Sequence, residues 1–302
     1  MRKNCQTVAI VVTYNRREKL LACLGALQSQ TAACDVMIVD NDSTDGTAAA
    51  VDPLLRGGVF LINTGGNLGG AGGFAFGIAE ALRRGYEYLW LMDDDVIASS
   101  DALAELFKVD RALGGGYGWL SSKCTMPSGG LCPMNLQRAT PYKEVPVASF
   151  DAGAPVPAQM ATFVSLFFRA GTARRFGLPI AEFFIWCDDL EWTRRVSHAT
   201  DCFIAPKSSV VHEITGSAAS DVAVDSADRI PRYFYAFRNE LFVYRREGMR
   251  GIAYYAAKTV KNLIRIVFCA RNRRLARMKA LFSGVTAGLG FHPVPAAADP
   301  AG

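Results

Sequence analysis

The segment Tyr88-Leu89-Trp90-Leu91-Met92-Asp93-Asp94-Asp95 determines how the rest of the chain is interpreted. An unbroken apolar run is typical of a strand that is buried on both faces of a sheet. Three carboxylates directly after such a strand repel one another, and burying them is costly unless a partner neutralises them. In an extended segment Asp93 and Asp95 point to one side and Asp94 to the other. We therefore predict that Asp93 and Asp95 bind a hard divalent cation, Mg²⁺ or Mn²⁺, the alternative being a solvated acidic turn.

Three further strand-like segments precede this one and alternate with helical patterns. They cover residues 8–14, 36–40 and 59–62, and leucines at helical spacing separate the first two. Strands that alternate with helices predict right-handed βαβ units, a parallel sheet and an α/β fold. Polar residues follow all four strands, and ligands of such sheets bind beyond the carboxyl ends of the strands. The sequence therefore predicts a ligand site at this edge.

A glycine-rich run at residues 65–73 lies between the third strand and a predicted helix at 74–84. Glycines let the backbone approach a ligand closely, and a helix N-terminus attracts anions. The run also fits the loose dinucleotide pattern G-x-G-x-x-A at Gly70 to Ala75. That pattern normally follows the first strand of the sheet, which makes NAD binding the weaker interpretation. Close packing at a tight turn is a further alternative.

Length and composition exclude several classes of protein. The chain has 302 residues, of which 50% are hydrophobic and 20% charged, and a formal net charge of +5. These values exclude a disordered chain and a collagen-like or disulfide-scaffold protein. The eight cysteines are scattered, without zinc-like spacing, and we expect reduced thiols in a cytosolic protein. We expect no signal peptide, and no apolar run reaches the ~18 residues that a membrane span needs.

Five motifs in order resemble glycosyltransferase family 2, the inverting nucleotide-sugar transferases with a GT-A fold. They are Val-Val-Thr-Tyr-Asn-Arg ending at Arg16, the turn from Val39 to Thr47, Met92-Asp93-Asp94-Asp95, the segment from Phe184 to Glu191, and Val210-Val211-His212-Glu213. The resemblance covers about residues 8–215. It implies a Rossmann-like mixed, mainly parallel sheet flanked by helices. Within the family, the segment from Asn67 to Phe74 is similar to that of bacterial galactofuranosyltransferases, with rhamnosyltransferases as close relatives.

The resemblance assigns roles to individual residues. His212 becomes the third metal ligand beside Asp93 and Asp95, the alternative being a hydrogen-bonded core histidine. Asp189 becomes the general base that takes the proton of the acceptor hydroxyl, and Asp188 binds sugar or acceptor hydroxyls. The alternative for this pair is a favourable electrostatic interaction with a helix N-terminus.

The residues expected to hold the nucleotide, uridine by resemblance, follow the first four strands. They are Thr13, Arg16, Asp40, Asn41, Asp42, Asn67, Gly69, Gly70 and Asp94. Trp186, together with Trp119, is expected on the face of the acceptor sugar, with a core position as the alternative.

Charge changes sharply in the last quarter of the chain. Thirteen Lys and Arg but two acidic residues, Glu240 and Glu247, lie between residues 232 and 279, and apolar residues interleave at helical spacing. Basic amphipathic helices suit an anionic membrane surface, and no nucleic-acid module accompanies them. We predict a transferase domain at 1–230 and a basic helical appendage at 231–302. Residues 114–160, rich in Gly, Pro and Ser, are predicted to be an irregular insertion on the acceptor side.

The predicted function is metal-dependent transfer of a hexose onto a lipid-linked cell-surface glycan. The donor implied by the resemblance is UDP-galactofuranose, and the location is the inner face of the plasma membrane. A rhamnosyltransferase that uses dTDP-rhamnose is the alternative enzyme. A non-catalytic nucleotide-sugar-binding module is the alternative from another class. The sequence gives neither the oligomeric state nor the linkage that is formed.

Overall fold

A computed structural model describes residues 5–151, 153–214 and 220–298 of the chain. Its helices are α1 (Arg17–Gln28), α2 (Thr47–Val51), α3 (Gly69–Arg83), α4 (Ala102–Ala112), α5 (Ala170–Phe176), α6 (Asp188–Ser197), α7 (Arg232–Arg245), α8 (Gly248–Cys269) and α9 (Arg274–Leu289). Its strands are β1 (Thr7–Thr13), β2 (Asp35–Asp40), β3 (Val59–Asn63), β4 (Tyr88–Asp93), β5 (Val96–Ala98), β6 (Leu120–Thr125), β7 (Arg138–Thr140), β8 (Lys143–Glu144), β9 (Val156–Pro157), β10 (Leu166–Arg169) and β11 (Phe203–His212).

The first four strands form the parallel part of the sheet, in the order β3-β2-β1-β4. Their registers align the strand ends, because Thr13 pairs with Asp40, Asp40 pairs with Asn63, and Val12 pairs with Asp93. The predicted α/β architecture, with polar residues gathered at one edge, is therefore confirmed.

The rest of the sheet is mixed. Strand β10 runs antiparallel to β4 and β6, β6 and β11 are parallel, and β5 and β9 pair antiparallel with β11. This part corrects the prediction for residues 114–160, because that stretch contributes β6 to the middle of the sheet. This strand carries no continuous apolar run, since Ser121 and Ser122 are buried through hydrogen bonds instead.

Helices cover both faces of the sheet and enclose two apolar clusters. One cluster packs β1 and β4 against α3 and α6, and the other packs the opposite face against α1 and α4. Helix α3 begins at Gly69 rather than at Phe74 as predicted. The glycines in its first turns permit close packing, since a Cβ at Gly73 would lie 2.6 Å from the Val12 side chain.

Helices α7, α8 and α9 form the predicted C-terminal helical region. They share an apolar cluster that also contains Val222 and Ile230 and against which Trp186 packs. Large apolar side chains of α8 and α9 are exposed, among them Met249, Ile264 and Phe268. Within the described part of the chain, no helix combines the length and apolar character that a membrane span requires.

Candidate active site

The acidic segment lies at the end of β4, where Asp94 and Asp95 form a turn that leads into β5. The extended geometry expected from the sequence is therefore wrong. The turn nevertheless divides the three carboxylates into two sets. Ligand atoms of Asp93, Asp95 and His212 lie within 4.8 Å of one another. Asp94 instead accepts hydrogen bonds from Thr13 Oγ1, at 2.7 Å, and from Arg16 Nη1, at 3.2 Å.

His212 reaches this cluster because β11 pairs with β5, which places it opposite Val96. Its Nε2 lies 3.0 Å from Asp95 Oδ1, and its Nδ1 lies 2.7 Å from Asn135 Oδ1. Burial opposes protonation of the ring, but Asp95 and Cys132 outweigh it and raise the pKa of His212 to about 10. The two ring nitrogens of His212 thus face different partners, the carboxylate of Asp95 and the neutral amide of Asn135, as is typical of histidines that bind metals.

The carboxylates of the cluster differ in their electrostatics. Burial, reinforced by Asp95, raises the pKa of Asp93 to about 7. Burial acts in the same direction on Asp95, but hydrogen bonds from His212 and Arg16 prevail and lower its pKa. Two carboxylates and one imidazole are a donor set that suits Mn²⁺ or Mg²⁺.

Arg16 bridges the two sets of carboxylates. Its Nη1 lies 2.6 Å from Asp95 Oδ2 as well as 3.2 Å from Asp94 Oδ1, and about half of its side chain is exposed. Thr13 is buried, with its hydroxyl donating to Asp94. Two of the residues predicted to hold the nucleotide, Thr13 and Arg16, therefore contact the acidic cluster.

The end of β2 places Asp40, Asn41 and Asp42 in three different environments. Asp40 is buried, and its Oδ1 accepts a hydrogen bond from the Ser43 amide, whereas its Oδ2 has no partner among the described residues. Asn41 is buried and donates to the Gly69 carbonyl at 2.9 Å. Asp42 is exposed, with a φ of 67°. The unpartnered oxygen of Asp40 is thus the atom of this turn that still needs a donor.

The glycine run packs against a neighbouring loop. Gly69 has a φ of 70°, and a Cβ there would overlap the Phe184 carbonyl oxygen. The amide of Gly69 donates to the exposed Asn67, and Gly70 has open space around it. Close packing, one of the alternatives read from the sequence, therefore accounts for Gly69 at least.

The loop before α6 has an unusual backbone. Phe184, Trp186 and Cys187 have φ values of 63°, 66° and 68°, a region that side-chain-bearing residues seldom adopt. The loop delivers Asp188 and Asp189 to the first turn of α6.

The two aspartates at the start of α6 face different neighbours. Burial, with contributions from Asp189 and Asp93, raises the pKa of Asp188 well above its ordinary value. Burial also raises the pKa of Asp189 to about 6, although the Leu190 amide and Arg138 lower it. Asp188 is thereby linked to the acidic cluster.

Asp189 lines a cavity of about 310 Å³. The walls come from the segment after β6, from the loop before α6, and from α7 and α8. Both charged and aromatic side chains line it: Arg138, Glu144, Trp186, Tyr233, Phe237, Glu240 and Lys258. A polyhydroxylated ligand finds both hydrogen-bonding groups and ring faces in such a cavity.

The two tryptophans that were expected on the acceptor face lie in different environments. Trp186 lines the cavity, whereas Trp119 is fully buried and donates to the Thr193 carbonyl at 3.0 Å. Trp119 is therefore a core residue, and its expected place on the acceptor face is wrong.

Sequence reasoning missed Asn135, which contacts His212, and Arg138, which faces Asp189 in the cavity. Both belong to the stretch predicted to be irregular, and no spacing or motif marks them. Cys124 and Cys132 were also overlooked, although their sulfur atoms and a ring nitrogen of His212 lie within 4.8 Å of one another.

Residues 8–114 match the family model described as glycosyl transferase family 2. Relatives extend the similarity along the chain. Galactofuranosyltransferase GlfT1 of Mycobacterium tuberculosis is 27% identical over 265 residues, which is 81% of this chain and 84% of the relative. GlfT1 of Mycolicibacterium smegmatis is 26% identical over 269 residues, with the same coverage. The resemblance seen in the sequence is confirmed.

Solved structures share the fold. The mannosyltransferase PcManGT of Pyrobaculum calidifontis, in complex with GDP-Man and Mn²⁺, aligns with a TM-score of 0.56 at 18% identity, over 95% of this chain and 76% of that one. TarS of S. aureus in complex with UDP aligns with a TM-score of 0.55 at 13% identity, over 96% and 72% of the two chains. The fold of this chain is therefore that of GT-A glycosyltransferases.

Proposed function

We propose that this chain is an inverting, metal-dependent galactofuranosyltransferase that acts on a lipid-linked glycan. The observation that carries the proposal is the convergence of Asp93, Asp95 and His212 at the edge where the parallel strands end. That edge is where ligands of α/β sheets bind. The similarity to GlfT1 along 84% of that relative supports the choice of donor.

Asp93, Asp95 and His212 would hold Mn²⁺ or Mg²⁺. Their oxygen and imidazole donors fit either ion, and the raised pKa of Asp93 reflects a carboxylate that a cation would stabilise in its charged form. The bound ion supplies charge neutralisation for the diphosphate leaving group. A solved structure of the same fold, PcManGT, contains Mn²⁺ with GDP-Man.

The nucleotide would lie across the ends of β1 and β2. Oδ2 of Asp40 is buried and lacks a donor, which a base N–H or a ribose hydroxyl would supply. Arg16 is half-exposed and borders the acidic cluster, so its guanidinium can reach a phosphate oxygen. Thr13, Asn41 and Asp94 would position the residues that contact the nucleotide, because each is buried and hydrogen-bonded within the protein.

Asp189 would accept the proton of the attacking hydroxyl. It lines the cavity, and its pKa of about 6 leaves it deprotonated at neutral pH yet basic enough for proton transfer. Asp188, whose pKa burial raises well above its ordinary value, would bind a sugar or acceptor hydroxyl. The acceptor therefore enters from the cavity and the donor from the acidic cluster, an arrangement that suits a single displacement with inversion.

The donor can be identified by nucleotide release. Purified protein is given UDP-galactofuranose, dTDP-rhamnose or GDP-mannose with lipid-linked glycan acceptors, in Mn²⁺ and in chelator. We expect metal-dependent release from UDP-galactofuranose alone. Release from dTDP-rhamnose alone would be compatible with the proposed mechanism but would reject UDP-galactofuranose as the donor. Donor binding without turnover for any acceptor would favour the non-catalytic alternative.

The C-terminal helices would place the enzyme on a membrane. Exposed apolar side chains of α8 and α9 lie among an excess of Lys and Arg, a combination that suits an anionic lipid surface. We propose that the chain acts at the inner face of the plasma membrane, where it would meet a lipid-linked acceptor. Binding to anionic but not zwitterionic liposomes at moderate salt would support this, and equal failure with both would reject it.

A further inference from the structure

Asn135 lies directly behind the proposed metal ligand His212. It ends the short helical turn Pro133–Asn135 after β6, and it is buried. Its Oδ1 lies 2.7 Å from His212 Nδ1 and 2.9 Å from Cys132 Sγ. Its Nδ2 donates to Thr162 Oγ1 at 3.1 Å. In this arrangement the amide oxygen faces the histidine and the NH₂ group faces the threonine.

An amide oxygen can accept hydrogen bonds but cannot donate them. His212 Nδ1 must therefore carry a proton to make its 2.7 Å contact, in either ionisation state of the ring. Nε2 faces Asp95 at 3.0 Å, so it is the nitrogen that a cation shared with Asp93 and Asp95 would contact. Histidines that bind metals typically donate their other N–H to a carbonyl or carboxylate in this way.

We infer that Asn135 is the positioning residue of the metal site. It holds the proton on His212 Nδ1, so that Nε2 presents its lone pair toward Asp93 and Asp95. This inference rests on the proposed metal-binding function.

The test compares three variants of the full chain for Mn²⁺ binding, measured by the EPR signal of the free ion without any donor sugar. Asn135→Leu keeps the branched shape of the side chain but removes the acceptor, and we expect Mn²⁺ affinity to fall by about 10- to 100-fold. Asn135→Asp restores an acceptor and should bind Mn²⁺ at least as tightly as the unaltered protein. Cys124→Ala is the control for the neighbouring thiols, because Cys124 Sγ lies 3.7 Å from the same oxygen and within 4.8 Å of a ring nitrogen of His212.

A second measurement needs no variant. Nitrogen-15 NMR of the Mg²⁺-loaded protein shows which ring nitrogen of His212 carries the proton, and we expect Nδ1. A proton on Nε2 would overturn the inference, as would wild-type affinity in a folded Asn135→Leu protein. Loss of Mn²⁺ in Cys124→Ala but not in Asn135→Leu would also overturn it, since the thiols would then be the ligands.

The two proposals fail in different ways. If the unaltered protein binds neither Mn²⁺ nor Mg²⁺, the proposed metal dependence is rejected. If it binds Mn²⁺ and a folded Asn135→Leu protein binds it equally well, the metal dependence stands and only the positioning role of Asn135 is rejected.

Discussion

Replacing Arg138 with methionine should shift the pH profile of the transferase. Burial raises the pKa of Asp189 from its ordinary 3.8 to about 6, and the positive charge of Arg138 keeps it from rising further. Methionine retains most of the apolar stem while removing the charge. The base then holds its proton more tightly, so the variant needs a higher pH to become active.

The size of the shift follows from the position of the two groups. Both line the same cavity, and a nearby opposite charge lowers the pKa of a carboxyl by about 1–3 units, the lower end of which is about 1.4 kcal/mol. Activity requires deprotonated Asp189, so it is present above the pKa and lost as the pH falls through it. At pH 6 the deprotonated fraction drops from about one half to about one tenth, so turnover should fall by about fivefold. Well above pH 8 the two proteins should be equally active.

The assay is nucleotide release at saturating donor and acceptor from about pH 5 to pH 9. Arg138→Lys is the control, since it keeps the charge and should keep the midpoint of the profile. Arg138 also donates to the Pro141 carbonyl and to the Tyr244 hydroxyl, so thermal unfolding is recorded for both variants. If a folded Arg138→Met protein has an unshifted midpoint, either Asp189 is not the base or Arg138 does not influence its pKa.

Three further predictions test the base, the packing of the glycine run and the membrane surface. Asp189→Asn should lower turnover by about 10²- to 10⁴-fold and leave UDP affinity, measured by calorimetry, nearly unchanged; wild-type turnover would exclude Asp189 as the base. Gly69→Ala should lower the free energy of unfolding in urea by more than about 1 kcal/mol, because its Cβ would overlap the Phe184 carbonyl, whereas Gly70→Ala, with open space around it, should not. Phe268→Glu should weaken co-sedimentation with anionic liposomes, since this side chain is 80% exposed on α8; undiminished binding would place the membrane contact elsewhere.

The parallel part of the sheet was predictable because each of its strands carries its own signal. An apolar run that ends in polar residues indicates both a buried strand and the edge of the sheet where ligands bind. The observed registers, which bring Thr13, Asp40 and Asp93 to the same edge, agree with this pattern. The start of α3 was not predictable from glycine content. Glycine disfavours a helix in isolation, but here the run packs against Val12 and Phe184, which overrides the local preference.

Asn135 shows where sequence reasoning reaches its limit. A single asparagine in a Gly- and Pro-rich stretch has no period or motif, and its importance arises from a contact with His212, 77 residues away. Strand β6 was missed for a related reason. Its buried Ser122 forms hydrogen bonds with Ser165 and Ser208 outside β6, so a polar residue is buried there and the strand lacks a hydrophobic pattern.

The predicted boundary at residue 230 marks a change of charge, but helix α7 beyond it contributes to the candidate active site. Nδ2 of Asn239 lies within 3.1 Å of three carbonyl oxygens in the loop before α6: those of Phe183, Ile185 and Trp186. This loop holds three side-chain-bearing residues at positive φ, each of which costs about 1–3 kcal/mol. Such strain persists where the surrounding structure enforces it, and here the enforcing contacts come from the basic C-terminal region. A module that merely binds a nucleotide at the ends of the parallel strands has no need of a strained loop that orients two further carboxylates. A transferase does need it, because the loop sets Asp188 toward Asp93 and Asp189 into the cavity. The strain therefore favours catalysis over the binding-module alternative.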